Sequence, residues 1–393
     1  MKKLILIILI LSLVTSIFSA SYISELESKT FRPTSSTFIA MGSSGRAIAL
    51  REDSSFVNPS AHNKGFSLII PQLELSISNL NYLVSTAKGA INRDANQLLD
   101  SLSIFSGSSY FAALQASGMV FINGFFLDCD ARAGLYTDGE SISASISIPL
   151  EAAISLGYSH SFEFENDYSL AIGGVSHLNY RAYTIPVDVS SFVDSYINRE
   201  RLIDGLISGS NISFDLGATF YMPYGFSTAL TVEDLALDIK FKDSFSNELW
   251  NTSIPSSVCM SLGYKNKLGP LTIMGAIDLV DVFNIKNGST LLYHLNFGGG
   301  VELWKNIGLY GGLKGGYPSF GLKLKLFFFE CFLSYNISET SQYVGYNPKD
   351  NISLMIRLFF WYLIDYFYLK NLDFKVIINF FPKKAWPLTP HTL

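Results

Sequence analysis

The sequence predicts an all-β chain folded as a transmembrane antiparallel β-barrel of about 14 strands, on three observations. Apolar and polar residues alternate with a period of two along most of residues 66–358, the pattern of strands with one greasy and one polar face. After the N-terminus, no segment offers the roughly 20 uninterrupted apolar residues that a membrane helix needs, although the mean hydropathy is +0.27. Charged residues make up only 16% of the 393 while aromatics reach 14%, with 21 Tyr and 31 Phe, too little charge to coat several water-facing domains. Part of the surface is therefore expected to face an apolar medium.

In chain order, Lys2 and Lys3 precede an apolar run over 4–14 and then small polar residues. This is the three-part build of a secretory signal peptide, assigned to residues 1–21. Ser19 and Ser21 satisfy the small-x-small cleavage rule better than Phe18 and Ala20. The first cysteine is Cys129, so a lipid anchor on a new N-terminal cysteine is excluded. Residues 22–65 come before the alternating runs, and residues 66–360 are assigned to the barrel.

Strands are predicted over 66–78, 125–136, 141–148, 151–162, 168–184, 211–221, 226–241, 256–265, 271–283, 291–304, 307–315, 321–326, 328–338 and 351–358. The clearest, 211–221, sets Ile212, Phe214, Leu216, Ala218 and Phe220 against Asn211, Ser213, Asp215, Gly217 and Thr219. Lengths near ten residues suit tilted bilayer-crossing strands, and an even count is what single-chain bacterial barrels have. Turns are expected at Asp138-Gly139, Pro223-Tyr224-Gly225, Leu268-Gly269-Pro270, Asn287-Gly288, Lys305-Asn306 and Tyr317-Pro318. Two stretches, 83–103 and 190–207, show helical spacing, the second behind a Ser190-Ser191 cap, and are placed as short helical excursions in long loops. Residues 361–393 hold Asp365, Lys370, Asp373 and Lys375, too polar for a lipid-spanning helix. An added hairpin using 374–381 and an extension past a lost stop codon both remain open for this tail.

Chemistry is sparse. A net charge of −5 without a basic stripe excludes nucleic acid as a partner. The five histidines are dispersed, no metal spacing or Gly-x-Ser-x-Gly elbow occurs, and so no cofactor, metal or enzymatic activity is predicted. Asp278 and Asp281 are too few for Ca²⁺ and read as solvated residues at a strand end. Gly298-Gly299-Gly300 lacks the Lys-Ser or Lys-Thr of a phosphate loop and reads as a bend, or as a lumen-facing strip where another segment packs closely. Lys323, Lys325 and Arg357 fall on polar strand faces and are expected to point into the lumen, pairing with acids such as Glu52 or Asp53 or attracting a carboxylate.

The run Phe38-Ile39-Ala40-Met41-Gly42-Ser43-Ser44-Gly45-Arg46, followed by Asp53-Ser54 and Phe56-Val57-Asn58-Pro59-Ser60-Ala61, resembles the opening of FadL-like and related PorV- or TraF-like outer-membrane proteins. On physical grounds Gly42 and Gly45 permit close backbone approach, Arg46 suits a buried acid, and Asn58-Pro59 ends a helical turn. Thr231-Val232-Glu233-Asp234-Leu235 and the glycine-rich set between Asn296 and Phe360 extend the resemblance in the same order, over about half the chain after the leader. The resemblance implies a fourteen-stranded barrel in the bacterial outer membrane, residues 22–65 folded inside it as a hatch, and a route for long-chain fatty acids or other hydrophobic small molecules. It further implies contact with outer-membrane lipid and with the insertion machinery that reads a terminal aromatic, here Phe359-Phe360. A general porin and a structural or assembly barrel without a small-molecule substrate are the alternative readings.

Overall fold

The computed structural model describes residues 31–48, 55–61, 66–78, 109–138, 145–188, 205–236, 238–243, 248–252, 254–283, 291–326, 329–339 and 348–359, with scattered positions in 88–96 and 190–193. The proposed leader, the tail, Glu52, Asp53 and the turn at 287–288 lie outside these residues.

Fourteen staves form one antiparallel sheet that closes on itself. They are β1 (Phe66–Ser78), β2 (Ser109–Ile122), β3 (Phe125–Asp138), β4 (Ser145–Ser147 continued by Pro149–Glu163), β5 (Ser169–Thr184 continued by Val187–Asp188), β6 (Leu206–Tyr221) and β7 (Phe226–Ala236 continued by Ile239–Lys242). The circuit goes on through β8 (Glu248–Thr252 continued by Ser257–Leu268), β9 (Leu271–Leu279), β10 (Leu295–Leu303), β11 (Ile307–Lys314), β12 (Tyr317–Leu326), β13 (Phe329–Glu339) and β14 (Pro348–Phe359). Each pairs with its sequence neighbour, and β14 returns to β1 through a register running from Ile69↔Phe359 to Ser78↔Asn351. Closure leaves no edge strand whose backbone groups would go unpaired in lipid.

Alternation decides which way each side chain points. On β6, Ile212, Phe214 and Leu216 face outward while Asn211, Ser213, Asp215 and Thr219 are buried in the lumen. On β12, Leu322, Leu324 and Leu326 face outward in the same way. An outer wall of exposed Leu, Ile and Phe far exceeds what a soluble monomer shows, and it matches the lipid-facing band of a membrane barrel. Among the described residues no helix is long and apolar enough to cross a membrane.

The two ends of the barrel differ. At one end the connections are tight: Asn123-Gly124, 165–167, Pro223–Gly225, Gly269-Pro270 and 304–306. Aromatic pairs flank this end, with ring centroids 4.4 Å apart for Phe125 and Tyr158, 5.7 Å for Tyr168 and Phe220, and 5.0 Å for Phe226 and Tyr264. Such rings form the girdle expected at a membrane interface. The other end carries most of the longer excursions, including the helical residues 88, 89, 91, 92, 190, 191 and 193. Asp188, rather than the serine pair, caps the second helical stretch, accepting the Ser191 N–H at 2.9 Å.

Fourteen is the predicted number, yet one predicted strand is a continuation and one real strand was not predicted. Residues 141–148 are not a separate stave; 145–147 continue into β4. β2 was missed because Phe111, Ala113, Met119 and Phe121 make its lumen face apolar too, which erases the period-two contrast. The turn joining it to β3, Asn123-Gly124, has φ of 45° and 94°, the left-handed pair that a two-residue hairpin requires. The reversal expected at Tyr317-Pro318 belongs to Gly315-Gly316, two residues earlier, and Tyr317 already opens β12, paired with Lys314 of β11. Pro71 sits inside β1 at a bulge, where the register slips between Ile69 and Gln72 against both neighbours. Lacking an N–H, proline is tolerated at such a slip.

Candidate functional site: the luminal segment and its sockets

Residues 31–48 and 55–61 fill the lumen, and most of their side chains are buried. Helix α1 (Ser36–Ala40) begins where the Ser35 hydroxyl accepts the Phe38 N–H at 3.1 Å, a serine N-cap. It ends at Met41 and Gly42, the latter at φ +68°. A left-handed residue there is best supplied by glycine, and a second reason for glycine is space: a Cβ on Gly42 would lie 2.6 Å from the Leu313 main chain of β11.

The barrel wall is cut to receive this turn. Gly298 on β10 pairs with Gly312 on β11, and both lie directly under the Met41 backbone. On β12, a Cβ at Gly321 would fall 2.5 Å from the Ala40 methyl. A second pad is built the same way: Gly173 on β5 pairs with Gly217 on β6 beneath Asn58-Pro59-Ser60. Gly298 thus serves as the lumen-facing strip anticipated from the sequence.

Charge locks the segment in register. Arg46 donates to Glu233 through Nε at 2.9 Å, and its Nη1 donates to Asp278 Oδ2 at 3.0 Å. The backbone N–H groups of Gly45 and Arg46 donate to that same Asp278 oxygen at 3.1 and 3.2 Å, and Ser261 also donates to Asp278. Asp278 is therefore fully buried and holds the luminal turn, which corrects the expectation of a solvated strand end. Arg32 makes the second lock, reaching Asp215 at 2.7 Å and Asp234 at 2.9 Å. Asn58 ties the two halves of the segment together: its amide donates to the Arg46 carbonyl at 2.6 Å and to the Thr219 hydroxyl at 2.8 Å, while its Oδ1 accepts the Ser60 N–H at 2.9 Å. The motif residues Met41, Gly42, Gly45, Arg46, Asn58 and Pro59 thus all lie on the wall contacts of one luminal segment.

Aromatic rings complete the fit. Phe56 stacks on His177 with centroids 4.6 Å apart, and Phe31 lies under the Arg132 guanidinium at 4.8 Å. His177 also meets Ser155 at 2.8 Å and Asp215 at 3.3 Å. Ser, His and Asp converge here, but Phe56 covers the imidazole and Arg32 occupies the carboxylate, so the three act as part of the socket. On the wall, Glu151 is held by Arg132 at 2.5 Å and Arg181 at 2.6 Å.

Lys323 and Arg357, singled out from the sequence as lumen charges, meet partners on the barrel wall. Lys323 pairs with Glu302 on β10 at 2.7 Å, and Arg357 donates to Gln72 on β1 at 2.8 Å and to Glu330 on β13 at 3.0 Å. Lys325 lies opposite Glu330 in the β12–β13 register. These contacts tie the staves of the wall to one another. The expectation of plug pairing through Glu52 or Asp53 falls outside the described residues. What the sequence reading missed was Arg32, Asp215, His177 and the Glu151 cluster; the clue available was charge recurring at the polar parity of apolar strands, as in Asp128-x-Asp130-x-Arg132.

The larger cavity beside the segment is about 30 Å³, lined by Thr34, Gln72, Gln115, Ser117, Asp128 and Asp130 among others, and a smaller one of about 10 Å³ lies near Phe31. The first has room for water molecules but not for an acyl chain, because Phe31, Phe38, Met41 and Phe56 occupy the lumen.

No family model matches the sequence, and no curated protein matches it. Among solved structures the chain is similar to the Ralstonia pickettii toluene transporter TbuX, 11% identical, covering 85% of this chain and 99% of that one at a TM-score of 0.43. It is likewise similar to the Pseudomonas putida toluene transporter TodX, at 10% identity, 85% and 99% coverage and a TM-score of 0.47. A Pseudomonas aeruginosa FadL homologue follows at 9%, 84% and 99%, with a TM-score of 0.41. At such values the barrel rests on its own ladder of pairings: the chain is a closed, fourteen-stranded antiparallel β-barrel with an N-proximal segment locked inside its lumen.

Proposed function

We propose that this protein is a bacterial outer-membrane channel for hydrophobic solutes, long-chain fatty acids or other apolar molecules among them, in which residues 22–65 act as a hatch. The observation that carries this reading is the closed lumen: two arginines of an inserted segment, Arg32 and Arg46, are clamped by wall carboxylates from β6, β7 and β9. A general porin needs an open, water-filled lumen, so a plugged one favours a gated conduit. The apolar outer wall, the even strand number and the signal-peptide pattern support residence in the outer membrane. Met41, Gly42, Gly45, Arg46, Asn58 and Pro59 form the moving part, and solute passage requires it to shift, since the 30 Å³ cavity beside it is too small for an acyl chain. The chemistry called for is binding and passage, with no enzymatic step.

A structural or assembly barrel is the second reading, favoured by the same tight docking of the hatch. One experiment separates them. Vesicles reconstituted with the purified protein and offered a radiolabelled long-chain fatty acid should take it up saturably above empty vesicles. Uptake equal to empty vesicles, with a partner protein recovered by mild crosslinking in cells, would favour the assembly barrel.

A further inference from the structure

Nearly every buried carboxylate described in the lumen is accounted for by a specific neighbour. Glu151, Asp215, Glu233, Asp234, Asp278 and Glu330 each lie within 4 Å of an arginine nitrogen. Glu74 accepts the Ser36 hydroxyl at 3.1 Å. Asp128 and Asp130 differ: Asp128 faces the Ser55 hydroxyl, and the two carboxyl groups face each other. They stand two residues apart on β3, hence on the same inward face, and each is 7% exposed. Among the described residues no arginine, lysine or histidine forms an ion pair with either, and Asp130 Oδ2 is buried without a hydrogen-bond partner. The cation reached through Gln72, Arg357, is already committed to Glu330.

Both carboxylates line the 30 Å³ cavity between the wall and the start of the hatch, together with the side chains of Thr34, Gln115 and Ser117. The lining is a set of oxygen donors around a space that holds an ion with little more than its nearest water. Two like charges a few ångströms apart in a water-poor lumen are costly unless something positive joins them. We infer that Asp128 and Asp130 form a binding site for a hard divalent cation, with Ca²⁺ as the matching probe, that bridges strand β3 to the hatch at Thr34. Two carboxylates neutralise one such ion, and hydroxyl and amide oxygens complete its shell. The site differs from the arginine locks in kind: it joins hatch and wall only when the ion is present, so hatch docking becomes sensitive to the divalent-cation level. The inference stands apart from the transport reading, since a cation site can exist in a barrel of any function.

The test is isothermal titration of CaCl₂ into the full-length protein, purified in zwitterionic detergent and washed with chelator, alongside Asp128→Asn and Asp130→Asn variants. The expected result is one site per chain in the native protein, with affinity reduced about tenfold or more in either variant. Circular dichroism of the variants should retain the native β spectrum, because an Asn fills the same space and removes a buried charge. As a second readout, Ca²⁺ should slow protease cleavage within residues 22–65 in the native protein and leave the Asp130→Asn rate unchanged. No heat of binding at millimolar Ca²⁺, or binding undiminished in both variants, would overturn the inference. Carboxyl groups sharing a proton instead would show as the first of these outcomes.

Discussion

Asp215 accepts the main-chain N–H of Asp234 at 2.8 Å, at the point where one residue of β6 faces two of β7. The register there slips between Phe214 and Leu216, and Asp234 takes up φ 58°. This is a β-bulge, and its effect is to turn two successive carboxylates, Glu233 and Asp234, toward the lumen where strict alternation would send one outward. Glu233 then holds Arg46 and Asp234 holds Arg32. One irregularity in the wall thus serves both locks of the hatch.

Removing Arg46 should release the hatch while leaving the barrel intact. Arg46→Met strands Glu233 and Asp278 as buried charges, at a cost of about 3–5 kcal/mol to hatch docking. Hydrogen exchange should then show residues 36–48 exchanging far faster, with the β-strand amides unchanged. Protection of the segment equal to the native protein would contradict the role given to this arginine.

The glycine pad predicts a sharp contrast between adjacent positions. At Gly312 an added Cβ meets the Met41–Gly42 main chain, 2.6 Å from the Gly42 nitrogen, whereas at Gly311 the nearest atom is 3.7 Å away. Gly312→Val should therefore expose the hatch to protease, and Gly311→Ala should change stability by no more than about 0.5 kcal/mol. Limited proteolysis followed by mass analysis reads the difference directly.

Asn58 offers a milder test of how the two halves of the hatch are joined. Asn58→Ala abolishes the bonds to the Arg46 carbonyl and to Thr219 and leaves those buried groups unsatisfied, costing about 1–3 kcal/mol. Denaturant unfolding in vesicles should shift by that amount, with Asn58→Asp failing to restore it because the amide donors are gone.

Opposite faces of one strand should respond to different chemistry. Phe214, 46% exposed and near the middle of β6, is assigned to lipid, so Phe214→Arg should weaken folding into vesicles by about 2–4 kcal/mol. Its neighbour Asp215→Asn should fold as well as the native chain into the bilayer and act instead through Arg32, loosening the hatch. Equal penalties for the two would argue against the outward and inward assignment.

The wall was far more legible than the site. In β6 the contrast between Phe214 and Asp215 is plain because the lumen face there is polar, whereas β2 hid its strand by turning Phe111, Met119 and Phe121 inward, the last two packed among Ile69, Phe126 and Val175 of other staves. Arg46 and Asn58 could be picked out because they stand in the run that resembles the opening of FadL-like proteins. Their partners could not. Asp278 looked like an ordinary strand-end acid, 232 residues away from the arginine it binds, and nothing local to Lys323 and Arg357 named Glu302 and Glu330 as their partners on the wall. Alternation tells which face a residue occupies, but which charges meet across the lumen depends on strand stagger and on bulges such as that at Asp234.

The most direct test of the hatch as a closed gate is the ionic current through single molecules of the full-length protein in planar bilayers, measured beside Arg46→Met. The account predicts a native barrel that carries almost no steady current and a variant that conducts in clear openings. A native protein that conducts steadily as a wide pore, indistinguishable from the variant, would contradict it.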